Sequence, residues 1–169
     1  MLTGPNYLGD PNMTQIKSVH YVVGVNDICQ SVPSEDILAW HARGASKGSI
    51  GIEQEGYASF TSADWMSPQG SAMWHNTARL LADINQRRGI PLRFISGQAL
   101  RDAYADHSNL AAGGVTTHRA LTEAGVGGND HTDPGTEYPM AEVLAVAAAG
   151  GAPPAPVELD VLDWLFSAV

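Results

Sequence analysis

The chain has few of the features that are typical of disulfide-rich, membrane or nucleic-acid-binding proteins. Its 169 residues include a single cysteine, Cys29, which cannot form an internal disulfide. Lysine and arginine number 9 against 18 aspartates and glutamates, a net charge of −9, so the basic clusters that neutralise a phosphate backbone are lacking. No apolar run approaches the roughly 20 residues of a membrane span. We therefore expect neither nucleic acid nor a membrane as a partner.

The first ten residues also lack a basic stretch followed by an apolar one, so we expect no signal peptide. With 44% hydrophobic residues, 16% charged residues and 18 glycines, the composition is that of a globular, loop-rich protein with a real core. We predict an irregular lead-in over residues 1–17, one domain over 18–150, and a proline-rich linker with an apolar C-terminal segment over 151–169.

Hydrophobic periodicity and turn signals predict a mixed α/β fold. Two runs rich in β-branched residues flank Asn26 and Asp27, which is typical of a β-hairpin. Ser67 and Pro68 signal a helix start, and Gly89 signals its end. The predicted strands are 19–25, 28–32 and 49–53, and the predicted helices are 68–88, 96–106 and 140–149.

Polar chemistry concentrates in residues 111–135, which we interpret as ordered loops because of their glycine, threonine, histidine and aspartate content. His118, His131 and Asp133 fall within this segment, and imidazole with carboxylate is a common zinc ligand combination. The same residues also suit an ordinary hydrogen-bonded turn. Cys29 has no base beside it in sequence, so we expect a small buried hydrophobe on a strand and not a nucleophile.

Four short blocks follow one another along the chain. They are Ser-Val-His-Tyr-Val-Val at 18–23, Ala-Trp-His-Ala at 39–42, Ser-Ile-Gly-Ile-Glu at 49–53, and His-Thr-Asp-Pro-Gly at 131–135 followed by Tyr-Pro-Met at 138–140. In this order, the blocks resemble the zinc-dependent N-acetylmuramoyl-L-alanine amidases, the family related to peptidoglycan recognition proteins. The matched region spans about residues 7–149, and its details are most similar to the amidase domains of endolysins from phages of mycobacteria and related actinobacteria.

The resemblance implies a mixed central β-sheet flanked by helices, with a groove that holds Zn²⁺. His118 and Asp133 would be zinc ligands. Glu53 would be the general acid/base that acts on the attacking water, and His131 would stabilise the oxyanion where many relatives have a lysine. The implied activity is cleavage of the amide bond between N-acetylmuramic acid and L-alanine in peptidoglycan.

The resemblance also implies a substrate groove and a cellular setting. Trp40, His41 and Tyr57 are candidates for substrate contact, and Trp65 is a further aromatic candidate. For each of the three aromatic residues a core role is equally favoured. An endolysin would be made in the host cytoplasm and would reach the cell wall after holin-type release.

One part of the family pattern is missing. Relatives open with a β-strand that carries the first zinc-ligand histidine, whereas residues 1–17 contain no histidine and no strand pattern. We expect the fold to lack this strand and to present an unpaired sheet edge. His20 and His41 are weak substitutes for the third ligand, because both match family positions that are not ligands, and His20 suits a buried, hydrogen-bonded role better.

Three functions are therefore compared. The leading hypothesis is a zinc-dependent endolysin-type amidase. The alternatives are a non-catalytic peptidoglycan-binding relative that has lost the first zinc ligand, and a cytosolic amidase that acts on soluble muropeptides.

Overall fold

A computed structural model describes residues 17–106 and 113–151 of the chain. The predicted lead-in and the C-terminal apolar segment therefore lie almost wholly outside the described residues. The described elements are strands β1 (Tyr21–Val23), β2 (Ile28–Gln30) and β3 (Ile52–Gln54), a 3₁₀ helix (Arg43–Ser46), and helices α1 (Ser62–Met66), α2 (Pro68–Arg88), α3 (Gly97–Ala105), α4 (His118–Ala124) and α5 (Met140–Ala148).

The three strands form one mixed sheet in the order β2-β1-β3. β1 and β2 are antiparallel and make the predicted hairpin, with Val22 opposite Cys29. β3 lies parallel to β1 on its other side, with Val22 opposite Glu53. The predicted mixed sheet with flanking helices is confirmed, although the third strand begins three residues later than the predicted 49–53.

Helix α2 has the predicted boundaries because local signals fix both of its ends. The Ser67 side chain accepts a hydrogen bond from the amide of Gly70 at 3.1 Å, and Gly89 ends the helix in the left-handed conformation with φ 68°. The helix packs against α5 through an apolar core. The buried residues of that core are Trp74, Ala78, Leu81, Val143 and Ala147. None of the described helices is long and apolar enough to cross a membrane.

β3 leaves one of its edges unpaired within the described sheet. The carbonyl of Gly51 accepts from Tyr21 at 3.1 Å, and the amide of Glu55 donates to Val23 at 2.9 Å. Alternate residues of a parallel strand bond to the same neighbour, so the backbone groups of Ile52 face away from β1. This agrees with the expected absence of a strand beside the sheet.

A cleft of about 370 Å³, here called the sheet cleft, lies beside this edge. Ile52 and Gln54 line one side of it, and residues 113–117 line the other, where Val115 forms an isolated parallel bridge with Phe94. Residues of two cores line this cleft, one core under α2 and α5 and a second formed by the 3₁₀ helix, α3 and α4. The side-chain nitrogen of Gln54 and the hydroxyl of Thr116 are buried there without a hydrogen-bond partner.

One local element was missed, and two local predictions were wrong. Helix α1 was missed, although Thr61 and Asp64 form a capping box at its start. Residues 118–124 form helix α4 instead of the predicted loop. Cys29 lies on β2 as expected but is exposed, because its face of the short hairpin is not covered by another described layer.

Candidate metal centre

Helix α4 places His118 at the start of its first turn. The Thr117 side chain accepts a hydrogen bond from the amide of Ala120 at 3.1 Å and caps the helix directly after the strand-like segment that contains Val115. His118 therefore emerges at the end of that segment, where it lines the sheet cleft. A short helix with a strong cap fixes the position of this imidazole.

His118, His131 and Asp133 come together into one group. The nearest nitrogen or oxygen atoms of the three side chains all lie within 4.8 Å of one another. Nδ1 of His118 is 2.7 Å from Oδ2 of Asp133, and Nδ1 of His131 is 3.5 Å from Oδ1 of the same carboxylate. The two imidazole rings have centroids 5.1 Å apart. The structure thus joins the two predicted ligands and the predicted oxyanion-stabilising residue.

The two ring nitrogens of His118 have different partners. Nε2 lies 2.9 Å from the carbonyl oxygen of His41, which can only accept a hydrogen bond. Nε2 must therefore carry a proton, and Nδ1 is left facing Asp133. A carbonyl that fixes the tautomer and orientation of a histidine in this way is typical of metal-ligating imidazoles.

The electrostatics of this pair favour the charged forms of both groups. The hydrogen bond and charge of Asp133 raise the pKa of His118 despite partial burial. Desolvation would raise the pKa of Asp133, but the hydrogen bond and charge of His118 outweigh it and hold that pKa below its usual value. Without a metal the two groups form an ion pair.

The donor set suits a zinc ion. Two imidazoles and one carboxylate are a common three-ligand combination for a catalytic zinc, which keeps its fourth position open. Ligand atoms at 2.0–2.2 Å from a tetrahedral metal are about 3.3 Å apart, and the observed separations of 2.7 and 3.5 Å to Asp133 bracket that distance. The group therefore fits the metal with small side-chain adjustments.

Glu53 lies on β3 and lines the same cleft as His118 and Asp133. Its side chain is solvent-accessible at the mouth of the cleft. Nevertheless, desolvation by the surrounding protein and the negative charge of Asp133 raise the pKa of its carboxyl, with smaller opposing effects from the two histidines of the group. A carboxyl that binds a proton more readily is suited to general acid/base chemistry.

The two weak substitute ligands lie outside this group. His20 is buried, with Nδ1 accepting from the amide of Gly51 at 2.9 Å and Nε2 donating to the carbonyl of Ile37 at 2.9 Å, so both ring nitrogens are used. The His41 ring lines the sheet cleft, packed against Gly51. Desolvation, together with the charges of His20 and His118, lowers the pKa of His41 to about 4, so this imidazole is neutral at neutral pH.

The aromatic candidates divide between surface and core. Trp40 is 50% exposed next to His41 in the chain, and Tyr57 is 72% exposed at the cleft lining. Trp65 is 1% exposed and packs edge-on against Phe60 and Tyr138, each with ring centroids 5.0 Å away. The core role is therefore the one that the structure supports for Trp65.

Sequence reasoning missed a set of contacts that hold the loop before His131. Arg43, which belongs to the 3₁₀ helix, pairs with Asp130 at 2.7 Å, and the side chain of Asn129 donates to the carbonyl of Ala42 at 2.9 Å. These partners are more than eighty positions apart in sequence, and no motif links them. The glycines at 127 and 128 were the one local signal of a tight loop.

Residues 3–136 of the chain match the family model described as N-acetylmuramoyl-L-alanine amidase. The chain belongs to the N-acetylmuramoyl-L-alanine amidase family. The matched span contains the whole candidate metal group, from His118 to Asp133. No curated protein sequence matches the chain significantly.

A solved structure supports the amidase fold. The chain is similar to the crystal structure of Staphylococcus aureus hydrolase AmiA in complex with its ligand, with a TM-score of 0.50 and 22% sequence identity. The match covers 80% of this chain and 62% of the AmiA chain. This amidase-family chain thus has the general architecture of that hydrolase but spans less than two thirds of its length.

Proposed function

We propose that the protein is a zinc-dependent peptidoglycan amidase that cleaves the bond between N-acetylmuramic acid and L-alanine. Family membership supports amide hydrolysis of a cell-wall substrate. The observation that carries the zinc dependence is the grouping of His118, His131 and Asp133 within 4.8 Å, with Glu53 on the same cleft as two of them. A purely binding domain has no need for this combination.

The residues divide the work of amide hydrolysis among them. His118 and Asp133 hold the metal, and a bound zinc ion would lower the pKa of a water molecule and polarise the amide carbonyl. Glu53 takes a proton from the attacking water and transfers it to the amide nitrogen as the carbon–nitrogen bond breaks. The products are the lactyl carboxylic acid of the sugar and the free amino group of L-alanine.

His131 has two compatible roles at this site. Its Nδ1 lies 3.5 Å from Asp133, close enough to take part in metal binding. Alternatively, its half-exposed ring can donate a hydrogen bond to the oxygen that becomes negative in the transition state. Zinc content separates the two roles, because His131→Ala abolishes stoichiometric zinc only in the first.

The proposed biological setting is lysis of a bacterial cell wall by a phage-type endolysin. The motif resemblance to endolysin amidase domains supports this setting. The exposed Trp40 and Tyr57 supply flat apolar surfaces for sugar or stem-peptide contact near His41. A cytosolic amidase would differ in substrate, since it would act on soluble muropeptides and leave intact sacculi undigested.

The test combines metal content with product release. Purified protein is dialysed and analysed for zinc, and release of peptides with a new L-alanine amino terminus from sacculi is measured with and without a chelator. We expect near-stoichiometric zinc and chelator-sensitive release that zinc restores. Zinc-free protein that releases no peptide would contradict the proposal.

A specific observation favours a second candidate function. Among the described residues, the group includes no histidine from a strand before β1, where the family carries its first zinc ligand, and the sheet has an unpaired edge at β3. Both features suit a non-catalytic peptidoglycan-binding relative. That function predicts sedimentation with sacculi without peptide release at any zinc concentration.

A further inference from the structure

Arg43 has an unfavourable backbone conformation, and burial of its side chain does not explain it. It adopts φ 50°, and it is the one residue other than glycine with positive φ in the part of the chain that the structure describes. This conformation is disfavoured for any residue with a Cβ atom, and such strained residues cluster at functional sites. The Arg43 side chain is 55% exposed, so apolar burial does not account for the strain.

The Arg43 guanidinium contacts the loop that leads to the metal group. Nη1 donates to the carbonyl of Gly128 at 2.7 Å, and Nη2 donates to Oδ2 of Asp130 at 2.7 Å. The neighbouring amide of Gly44 donates to the carbonyl of Gly127 at 3.0 Å. Two successive residues therefore hold three positions of this loop: 127, 128 and 130.

Asp130 connects this contact to the metal group. Its other carboxylate oxygen, Oδ1, is 3.7 Å from Nε2 of His131, whose Nδ1 faces Asp133. Arg43 fixes Asp130 and neutralises it. Without Arg43, Asp130 and the loop beside His131 lose this anchor.

We propose that Arg43 is a positioning residue that holds the loop of residues 127–130 so that His131 and Asp133 keep their places in the metal group. This inference rests on the proposed metal-dependent function. An exposed ion pair contributes little to folding stability, so the strain at Arg43 is not offset by the pair alone. The geometry therefore indicates that Arg43 supports metal affinity and not folding stability.

Substitution of Arg43 by glycine tests the proposal, because glycine removes the side chain and relieves the strain at the same time. We expect Arg43→Gly to bind Zn²⁺ about tenfold more weakly in competition with a chromophoric chelator, in the range seen when partners of metal ligands are removed. Its melting temperature without metal should equal or exceed that of the wild type. The Co²⁺-loaded variant should also show an altered visible spectrum.

Two further variants and one control sharpen the test. Asp130→Asn should weaken zinc binding to a similar extent, and combining it with Arg43→Gly should add little, because both remove the same contact. Arg43→Lys keeps the charge but loses the paired donors, so it should restore part of the affinity. The control is Arg88→Ala, which removes a surface ion pair with Asp36 away from the sheet cleft and should leave zinc affinity unchanged.

Each contrary result would refute a different statement. If Arg43→Gly binds zinc as tightly as the wild type, the positioning role is overturned while the metal-dependent function stands. If Arg43→Gly loses melting temperature in parallel with affinity, and Arg43→Lys restores both together, Arg43 is a structural residue and the proposal is wrong. If the wild type itself binds no zinc, both the proposed function and this inference fail.

Discussion

His20 and His118 show how partners decide the role of a histidine in this fold. Both are held by backbone carbonyls through Nε2. Nδ1 of His20 accepts from the amide of Gly51, so that ring is a structural link within the core, whereas Nδ1 of His118 faces Asp133. A single hydrogen-bond partner thus separates a core histidine from a candidate metal ligand.

Substitution of Glu53 should lower catalytic activity and leave the metal bound. We expect Glu53→Gln to lower kcat for peptide release by about 10²- to 10⁴-fold, since an amide side chain cannot transfer the proton. Zinc content should stay at the wild-type level, because Glu53 lies outside the grouped ligands. The matched control is Glu142→Gln, an exposed glutamate on α5. Normal kcat in Glu53→Gln would remove this residue from the mechanism.

The ion pair of His118 and Asp133 predicts a pH dependence of stability in the metal-free protein. The pKa of His118 is raised above 6.5, so its contribution is present below pH 6.5 and is lost as the pH rises through the folded-state value. The pKa of Asp133 is lowered below 3.8, so its contribution is present above pH 3.8 and is lost on acidification.

The pair should therefore stabilise the metal-free fold most between about pH 4 and 6.5. The effect should be about 1 kcal/mol or less, because the Asp133 side chain is 50% exposed to screening solvent. Urea unfolding in the presence of a chelator, compared between wild type and Asp133→Asn, measures it. A difference that stays constant from pH 5 to pH 9 would show that the two groups do not form an ion pair in solution.

At the scale of elements, the segment directly before β3 contains Gly51, whose lack of a side chain leaves room for the His41 ring. A Cβ atom on Gly51 would lie 2.4 Å from Cγ of the His41 ring. We expect Gly51→Ala to destabilise the fold by about 1–3 kcal/mol through overpacking. Adding His41→Ala should recover much of this loss, because it removes the clashing ring. Urea unfolding of both single variants and the double variant measures the coupling, and strict additivity would argue against the clash.

The elements also show where sequence patterns suffice. α2 was predicted correctly because a serine cap, a proline at the first turn and a terminal glycine are local signals that act regardless of context. α4 was missed because its seven residues lie within a segment rich in glycine and threonine. Such a short helix is stable only through packing, here against the core that contains Ala120 and Leu121.

At the scale of the whole molecule, the sheet cleft is lined by residues of two cores. Val115 lines this cleft, whereas Val23 is 0% exposed at the centre of the sheet core. We expect Val115→Ile to change the free energy of unfolding by less than about 0.5 kcal/mol, and Val23→Ile to cost about 1–3 kcal/mol. Urea unfolding provides the comparison. Equal costs would show that the cleft is filled in solution.

The sequence by itself determined the elements with strong local signals. The hairpin and α2 were predictable, because turn preferences and caps act over a few positions. Short motifs also indicated His118 and Asp133 as candidate metal ligands, which stays a prediction. The missing strand pattern before β1 likewise predicted an unpaired sheet edge.

Only the tertiary structure decided which residues meet. The carbonyl of His41 that fixes His118, and the contact between Arg43 and Asp130, join positions 77 and 87 residues apart. Such contacts depend on how the 3₁₀ helix, α4 and the intervening loops pack together, and no local pattern encodes that packing. The same packing separated the exposed Trp40 from the buried Trp65, since burial of an aromatic side chain is a property of the assembled fold.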